Sequence, residues 1–292
     1  MKLRRNDGFI VVAVLWLMAA LATLAVIYSL SVRESAAAFS TRDDRVKAQA
    51  LTQAGVELAV ARMTAIPEAL PSFGRASLRL GDAALTIEFH AENGRIDLNA
   101  APPEVLAGLF VGFGVRPEDA AGLAERIAAW RTPPTAGSTD DEAALYRVAG
   151  KRYGPRRGMF QHVNELALVL GVPSLLLDRA LPYLTVYSGQ QEINVLTAAP
   201  EVLAALPGLT PGGIHDLMLS RANIPEDVLR ARLGAAARYV TAKASNSMRI
   251  TVDINFGARG RTRSEVVVLV LPNDVAPYRV LSWRDQAEVS IR

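Results

Sequence analysis

The chain has 292 residues, a formal net charge of +3 and no cysteine. Without cysteine there is no disulfide framework, no thiolate metal site and no cysteine nucleophile. A charge this mild and dispersed does not by itself imply nucleic acid. Half of the residues are hydrophobic, a figure raised by one N-terminal run, and the remainder has the composition of a globular protein of one large or two small domains.

That run opens the chain. Met1-Lys2-Leu3-Arg4-Arg5-Asn6-Asp7-Gly8-Phe9 leads into a stretch from Gly8 to Val32 of 25 residues without a charge. As an α-helix rising about 1.5 Å per residue it spans about 37 Å, enough to cross a hydrocarbon core of about 30 Å with some tilt. Lys2, Arg4 and Arg5 put the N-terminus on the cytoplasmic side and send the rest of the chain outward. Secretory signal cores are shorter, at roughly 7–15 residues, but Ala36-Ala37-Ala38 offers a cleavage pattern, and a plain uncleaved anchor is the other alternative.

Residues 33–63 contain no proline and continue the helix, with Ala50, Ala54, Leu58 and Ala61 spaced to form one small-residue face on which a sheet could lie. Pro67 and Pro71 end it. Strands are expected at 77–80 and 85–91 around the Gly81-Asp82 turn, with Leu85, Ile87 and Phe89 on the buried side and His90 on the polar side. A third extended piece, 95–98, leads into helical sequence.

The helical sequence contains a repeat. Ile96-Asp97-Leu98-Asn99-Ala100-Ala101-Pro102-Pro103-Glu104-Val105-Leu106-Ala107-Gly108-Leu109 aligns without gaps to Ile193-Asn194-Val195-Leu196-Thr197-Ala198-Ala199-Pro200-Glu201-Val202-Leu203-Ala204-Ala205-Leu206, with eight of fourteen positions identical. Each copy is an extended lead-in, a proline near the helix start, where its missing N–H costs nothing, and an apolar helix. Gly112–Pro117 then turns into helix 118–130, and Leu206-Pro207-Gly208-Leu209 turns into helix 213–221. Both copies are similar to helix-hairpin-helix units. Further helical stretches are expected at 163–170, closing at Gly171, and at 174–181. Past residue 247 strands return at 248–256, 265–271 and 278–283. The fold class is therefore α+β: an antiparallel sheet interrupted by a large helical insertion, a sheet that the resemblance given below implies is pilin-like.

Few residues suggest chemistry. Hairpin amides can bind phosphate, but the second hairpin has no basic residue before Arg221, and Asp216 is closer. Arg147, Lys151, Arg152, Arg156 and Arg157 form a basic set without acidic residues among them, suited to a solvated loop, an acidic partner or lipid headgroups. Asp140, Asp141 and Glu142 are clustered carboxylates beside a Gly/Ser loop, a composition that suits Ca²⁺ or a solvated acidic turn. His162 lies near Glu165, yet with three scattered histidines and no nucleophile motif the chain is not read as an enzyme.

The short basic leader, Gly8-Phe9 and the unbroken apolar helix resemble the type IV prepilin and type II secretion pseudopilin signal. The resemblance implies cleavage after Gly8 by a prepilin peptidase and N-methylation of Phe9, with the helix retained. It also implies a glutamate at the fifth mature position, where this chain has Ala13. In a filament that carboxylate pairs with a neighbour's amino group, and unpaired in the bilayer it costs at least about 2.5–3.5 kcal/mol. A subunit without such a neighbour is better without it, so Ala13 marks a place at the tip.

With the two Ala-Pro-Glu-Val-Leu-type repeats, Leu181-Pro182-Tyr183-Leu184-Thr185-Val186-Tyr187 and Tyr278-Arg279-Val280-Leu281-Ser282-Trp283-Arg284, the chain resembles the minor pseudopilin K family of type II secretion. This implies a single-pass protein of the bacterial inner membrane with its C-terminal part in the periplasm. It would sit at the pseudopilus tip and support export of folded proteins. Its partners would be minor pseudopilins I and J, other pseudopilus and assembly-platform subunits and prepilin peptidase, with no nucleic acid. The expected segments are a leader (1–8), a transmembrane helix (9–32), a periplasmic helix with the first strands (33–99), the inserted α-domain (100–247) and the closing strands (248–292). The family's calcium loop implies Asp140, Asp141 and Glu142 as ligands together with an earlier acidic pair, whose place here reads Trp130-Arg131-Thr132. The alternative from a different class is a membrane-tethered DNA receptor using the repeated hairpins.

Overall fold

The computed structural model describes residues 7–65, 70–134, 141–221, 226–257, 260–272 and 274–286, the side chains of 7–10, 31–44, 226, 227 and 286 excepted. The chain divides into two compact units between Gln53 and Ala54. The first is helix α1, which begins at Asp7 and extends to Met63 in the second unit. Within it Val11–Leu30 has a mean hydropathy of 2.5 and none of it is buried. It is the one segment among the described residues long and apolar enough to cross a membrane.

The second unit is built on a five-stranded antiparallel sheet. Its strands are β1 (Phe73–Leu80), β2 (Ala83–Ala91), β7 (Ser247–Asn255), β8 (Arg261–Val270) and β9 (Tyr278–Gln286), in the spatial order β1-β2-β7-β8-β9. Leu85, Ile87 and Phe89 are buried and alternate with less buried neighbours, as the period-two pattern requires. Ile250, Val252 and Ile254 of β7 and Val266, Val268 and Val270 of β8 complete that face. The final turns of α1 lie against it. Gly55 brings the helix so near that an added Cβ would stand 3.0 Å from the Val252 methyls and 3.4 Å from Ile87.

The packed face of the helix differs from the expected one. Ala54 and Ala61 are exposed and Leu58 is only half-buried, whereas Gly55, Val56, Ala59, Val60 and Met63 are buried. Both stripes have helical spacing, but the buried one combines glycine with larger apolar side chains that fill the sheet's hollows. Helix α1 ends at Met63, and Pro67 lies outside the described residues.

β2 and β7 are sheet neighbours, so residues 92–246 leave and re-enter between adjacent strands. They contain β3 (Ile96–Asp97), α2 (Pro103–Gly112), α3 (Pro117–Arg131), α4 (Asp141–Val148), α5 (Ser174–Ala180) and β4 (Leu184–Thr185). After these come β5 (Ile193–Asn194), α6 (Pro200–Ala204), α7 (Pro211–Ser220), α8 (Glu226–Leu233) and β6 (Val240–Thr241). One continuous core joins them, including Leu106, Phe110, Ile127, Leu203 and Tyr239. The stretch expected as a helix at 163–170 is a 3₁₀ helix, Val163–Leu168.

The sequence repeat is the visible end of a larger duplication. β3 pairs in parallel with β4, and β5 pairs in parallel with β6. Each lead-in then donates onward to its partner strand, Leu98 N to Thr185 O and Val195 N to Thr241 O, at 2.9 and 3.0 Å. In each copy a side-chain oxygen caps the turn two residues later: Asp97 Oδ1 accepts from Asn99 N, and Asn194 Oδ1 accepts from Leu196 N. Each hairpin passes through a left-handed glycine, Gly114 (φ 89°) or Gly208 (φ 84°), into a helix opened by proline. The unit therefore runs strand, helix, hairpin, helix, later helix, strand. The first copy is enlarged by the segment that carries α4.

Candidate functional site

Gly8, Phe9 and Ala13 all fall within α1, Gly8 and Phe9 without described side chains. The exposed part that follows carries Trp16 at 74% and Tyr28 at 72% exposure among aliphatic side chains. A helix of this kind is stable in water only if another apolar surface covers it, and a bilayer or a bundle of like helices supplies one. The leader residues Met1–Asn6 lie outside the described residues.

In the inserted region, the two copies are locked to each other. Arg131, at the end of α3, donates to Leu98 O at 2.5 Å and to Ala101 O at 2.7 Å. Arg221, after α7, donates to Val195 O at 3.0 Å and to Ala198 O at 2.7 Å. The same guanidinium thus closes the same lead-in twice, and burial lowers the pKa of both. Across the copies, Tyr239 OH donates to Glu104 Oε1 at 2.9 Å. Glu201, at the equivalent position of the other copy, stands against the Tyr183 hydroxyl and, after burial, raises its pKa. The Pro-Glu of each repeat is therefore held by the tyrosine that precedes the closing strand of the other. Gly108 on α2 and Ala205, its equivalent just past the end of α6, meet across the copies, where an added Cβ at Gly108 would stand 2.1 Å from Ala205 O.

The insertion is anchored on the sheet by a buried ion cluster. Glu92, fully buried, accepts from Thr185 Oγ1 at 2.5 Å and from Arg249 Nε at 2.9 Å, and Arg249 also binds Glu265. Burial alone would lower the Arg249 pKa, but the two carboxylates outweigh it and raise the pKa. Sequence inspection passed over these residues because no spacing links 92, 249 and 265. The repeat alignment already contained Glu104 and Glu201, so that half of the lock was legible.

The structure does not bring the candidate polar residues into one site. Asp140 lies outside the described residues, and Asp141 and Glu142 open α4, where carboxylates favour the helix dipole. No group of three His, Cys, Asp or Glu able to hold a metal occurs among the described residues. At the place where the resemblance implies an earlier acidic pair, Arg131 is engaged in the lead-in lock. The basic set divides: Arg157 donates to Ala129 O and Arg156 pairs with Glu165, both at 2.8 Å, while Arg147, Lys151 and Arg152 are exposed. Glu165 is thereby committed, and His162 Nδ1 accepts from Asn164 N while Nε2 lies 2.6 Å from Arg284 Nη2. Burial and Arg284 hold the His162 pKa below its ordinary value.

Four of the hairpin amides are also committed. Gly114 N, Val115 N and Leu209 N donate to carbonyls in their own turns, and Thr210 Oγ1 takes Gly213 N. The one basic hairpin residue, Arg116, pairs with Asp119 at 2.8 Å. What the described residues present is an uncovered apolar helix and a duplicated helical body.

Comparisons with known proteins agree with this geometry. Residues 84–189 match the family model of "Type II secretion system (T2SS), protein K". No curated protein sequence matches the chain. Among solved structures, the fold is similar to a chain of the GspK–GspI–GspJ complex from the enterotoxigenic Escherichia coli type 2 secretion system. The TM-score is 0.60 at 14% identity, covering 85% of this chain and 99% of that one. Residues 84–189 thus carry a segment similar to type II secretion system protein K, on a fold similar to that of a chain of the GspK–GspI–GspJ complex.

Proposed function

We propose that this protein is a minor pseudopilin seated at the tip of the pseudopilus, where it supports assembly and the export of folded periplasmic proteins. The observation that carries the reading is the combination of an uncovered apolar helix with a large duplicated insertion between adjacent strands of one sheet. The helix packs with the apolar helices of other subunits in the inner membrane, with its N-terminus cytoplasmic and the sheet and insertion periplasmic. Prepilin peptidase cuts between Gly8 and Phe9, and Phe9 becomes the methylated N-terminus. Ala13 leaves no carboxylate in the bilayer in need of a neighbour's amine. The bulk of the insertion blocks stacking of a further subunit above it. By analogy with the solved complex, pseudopilins of the I and J type are the immediate neighbours.

The test is the mature N-terminus after co-expression with a prepilin peptidase. Mass spectrometry should find N-methylated Phe9. A chain starting at Met1, or one starting near Phe39, would overturn the proposal. Against the DNA-receptor reading stand the internal bonds of Gly114 N, Val115 N, Leu209 N and Gly213 N and the pairing of Arg116 with Asp119. Gel shifts across salt should show no strongly salt-dependent binding of duplex DNA.

A further inference from the structure

A cavity of about 280 Å³ opens where the first lead-in meets the outer face of the sheet, lined by Glu92, Arg95, Tyr183, Thr197, Arg249 and Glu265 among others. Its charged groups are not equally satisfied. Arg249 spans Glu92 and Glu265, so that both carboxylates are committed to one guanidinium. Arg95 is half-buried, yet its guanidinium makes no hydrogen bond to any described residue. Burial and the neighbouring Arg249 both act against its charge, and Glu92 and Glu265 compensate only at a distance. An arginine carries five N–H donors in a rigid fork, and a partly desolvated one without an acceptor is out of balance.

We infer that this cavity is a binding site for a single carboxylate, with Arg95 as the residue that holds it. A planar carboxylate matches the guanidinium fork with two parallel hydrogen bonds. Thr197 and Thr251 line the same cavity; the Thr197 hydroxyl donates to Asn194 O at 3.4 Å, which leaves the Thr251 hydroxyl to donate to the carboxylate. Glu92 and Glu265 set the charge limit. With Arg95 and Arg249 they sum to zero, and Arg284 nearby adds one positive charge. A monoanion neutralises that excess, whereas a phosphate dianion would reverse it against two fixed carboxylates. The volume lies at the small end of ligand pockets and suits a short organic acid or one acidic side chain. The site does not depend on the chain being a pseudopilin.

The test uses the full-length protein in non-ionic detergent, with thermal unfolding followed as acetate replaces chloride at constant ionic strength. The melting temperature should rise and saturate with acetate, because a ligand bound only to the folded state stabilises it by mass action. Arg95→Gln should lose the response and, without acetate, melt no lower than the parent. Arg116→Gln, at an exposed surface pair, should keep the response. Arg95→Lys retains the charge and should respond at higher acetate, which keeps the test available if the glutamine variant fails to fold. Absence of a saturable shift in the parent would overturn the assignment. So would an unchanged response in Arg95→Gln, or saturation by phosphate at lower concentration than acetate. A peptide, acetyl-Gly-Asp-Gly-amide, distinguishes the sources: saturation below acetate identifies a carboxylate on a polypeptide, and saturation above it a free organic acid.

Discussion

Gly108 offers the sharpest test of the duplicated core, because two known effects of replacing it by alanine have opposite signs. Within a helix, glycine to alanine is favourable by about 0.8–1 kcal/mol. At Gly108, however, the new Cβ would lie 2.1 Å from Ala205 O, 2.9 Å from its carbonyl carbon and 3.1 Å from its Cα. Carbon and carbonyl oxygen settle at roughly 3.3–3.6 Å, so α2 and α6 would have to separate by about an ångström. The obstacle is backbone, which cannot rotate away, and overpacking of this kind costs about 1–3 kcal/mol. Taking the upper end, Gly108→Ala should destabilise by about 2 kcal/mol net, or about 4–8 °C in melting temperature for a unit of this size. Gly112, one turn further along the same helix, has nothing within 4 Å of its Cβ position, and its alanine variant should be stabilised by about 0.5–1 kcal/mol. Thermal melts in near-ultraviolet circular dichroism on both variants decide the matter. Shifts of the same sign, or a Gly108→Ala protein as stable as the parent, would refute the close approach of α2 to α6.

Arg131→Met and Arg221→Met should each cost about 1–3 kcal/mol, and by similar amounts, because each strands the two equivalent lead-in carbonyls of its copy; urea midpoints at constant slope report this. The lowered His162 pKa means the folded state holds its proton less tightly than the unfolded one. Stability is therefore fully present above the ordinary value of about 6.5 and is lost as pH falls through the lower folded value. His162→Gln should flatten that limb in melts between pH 7.5 and 5. A calcium chelator should leave the melting temperature unchanged, since Asp141 and Glu142 serve a helix start and Arg131 stands where carboxylates would be needed; a fall on chelation would show that Asp140 completes a site.

The parts of the molecule set by local pattern were legible in the sequence. Alternation at Leu85, Ile87 and Phe89 located β2, and uninterrupted apolarity located the membrane-competent part of α1. The pairs Pro103-Glu104 and Pro200-Glu201 exposed the repeat. What eluded reading was set by tertiary contacts. The small-residue stripe at Ala54 and Ala61 is as periodic as the stripe that packs, and only the sheet selects Gly55, Val56, Ala59, Val60 and Met63. The closing helices and strands of the two copies share little beyond Tyr183-Leu184-Thr185 and Tyr239-Val240-Thr241, too short to align without knowing that each threonine ends a parallel pair. The Arg95 cavity joins residues from both sides of the insertion, so no window along the chain contains it.

The position of the insertion explains how so large a body can be carried without loosening the sheet. Its two ends leave from β2 and return to β7, which are already hydrogen-bonded neighbours, so closing the loop asks little of the fold. Loop-closure entropy also grows slowly, by about 0.6 kcal/mol per doubling of length. What remains is to prevent the body from swinging on its two strands, and polar groups at the neck do this. Asn93 Nδ2 donates to Lys243 O at 3.0 Å and to Gln190 Oε1 at 2.8 Å, and Ser245 N donates to Asn93 Oδ1 at 3.2 Å. From the second copy, Asn194 Nδ2 donates to Ser72 Oγ at 2.8 Å, just ahead of β1. Glu92 and Arg249 tie the outgoing strand end to the returning one. Each copy of the duplicated unit thus has its own polar attachment to the sheet. A load applied to the helical body reaches the sheet through two separate connections, one from each copy.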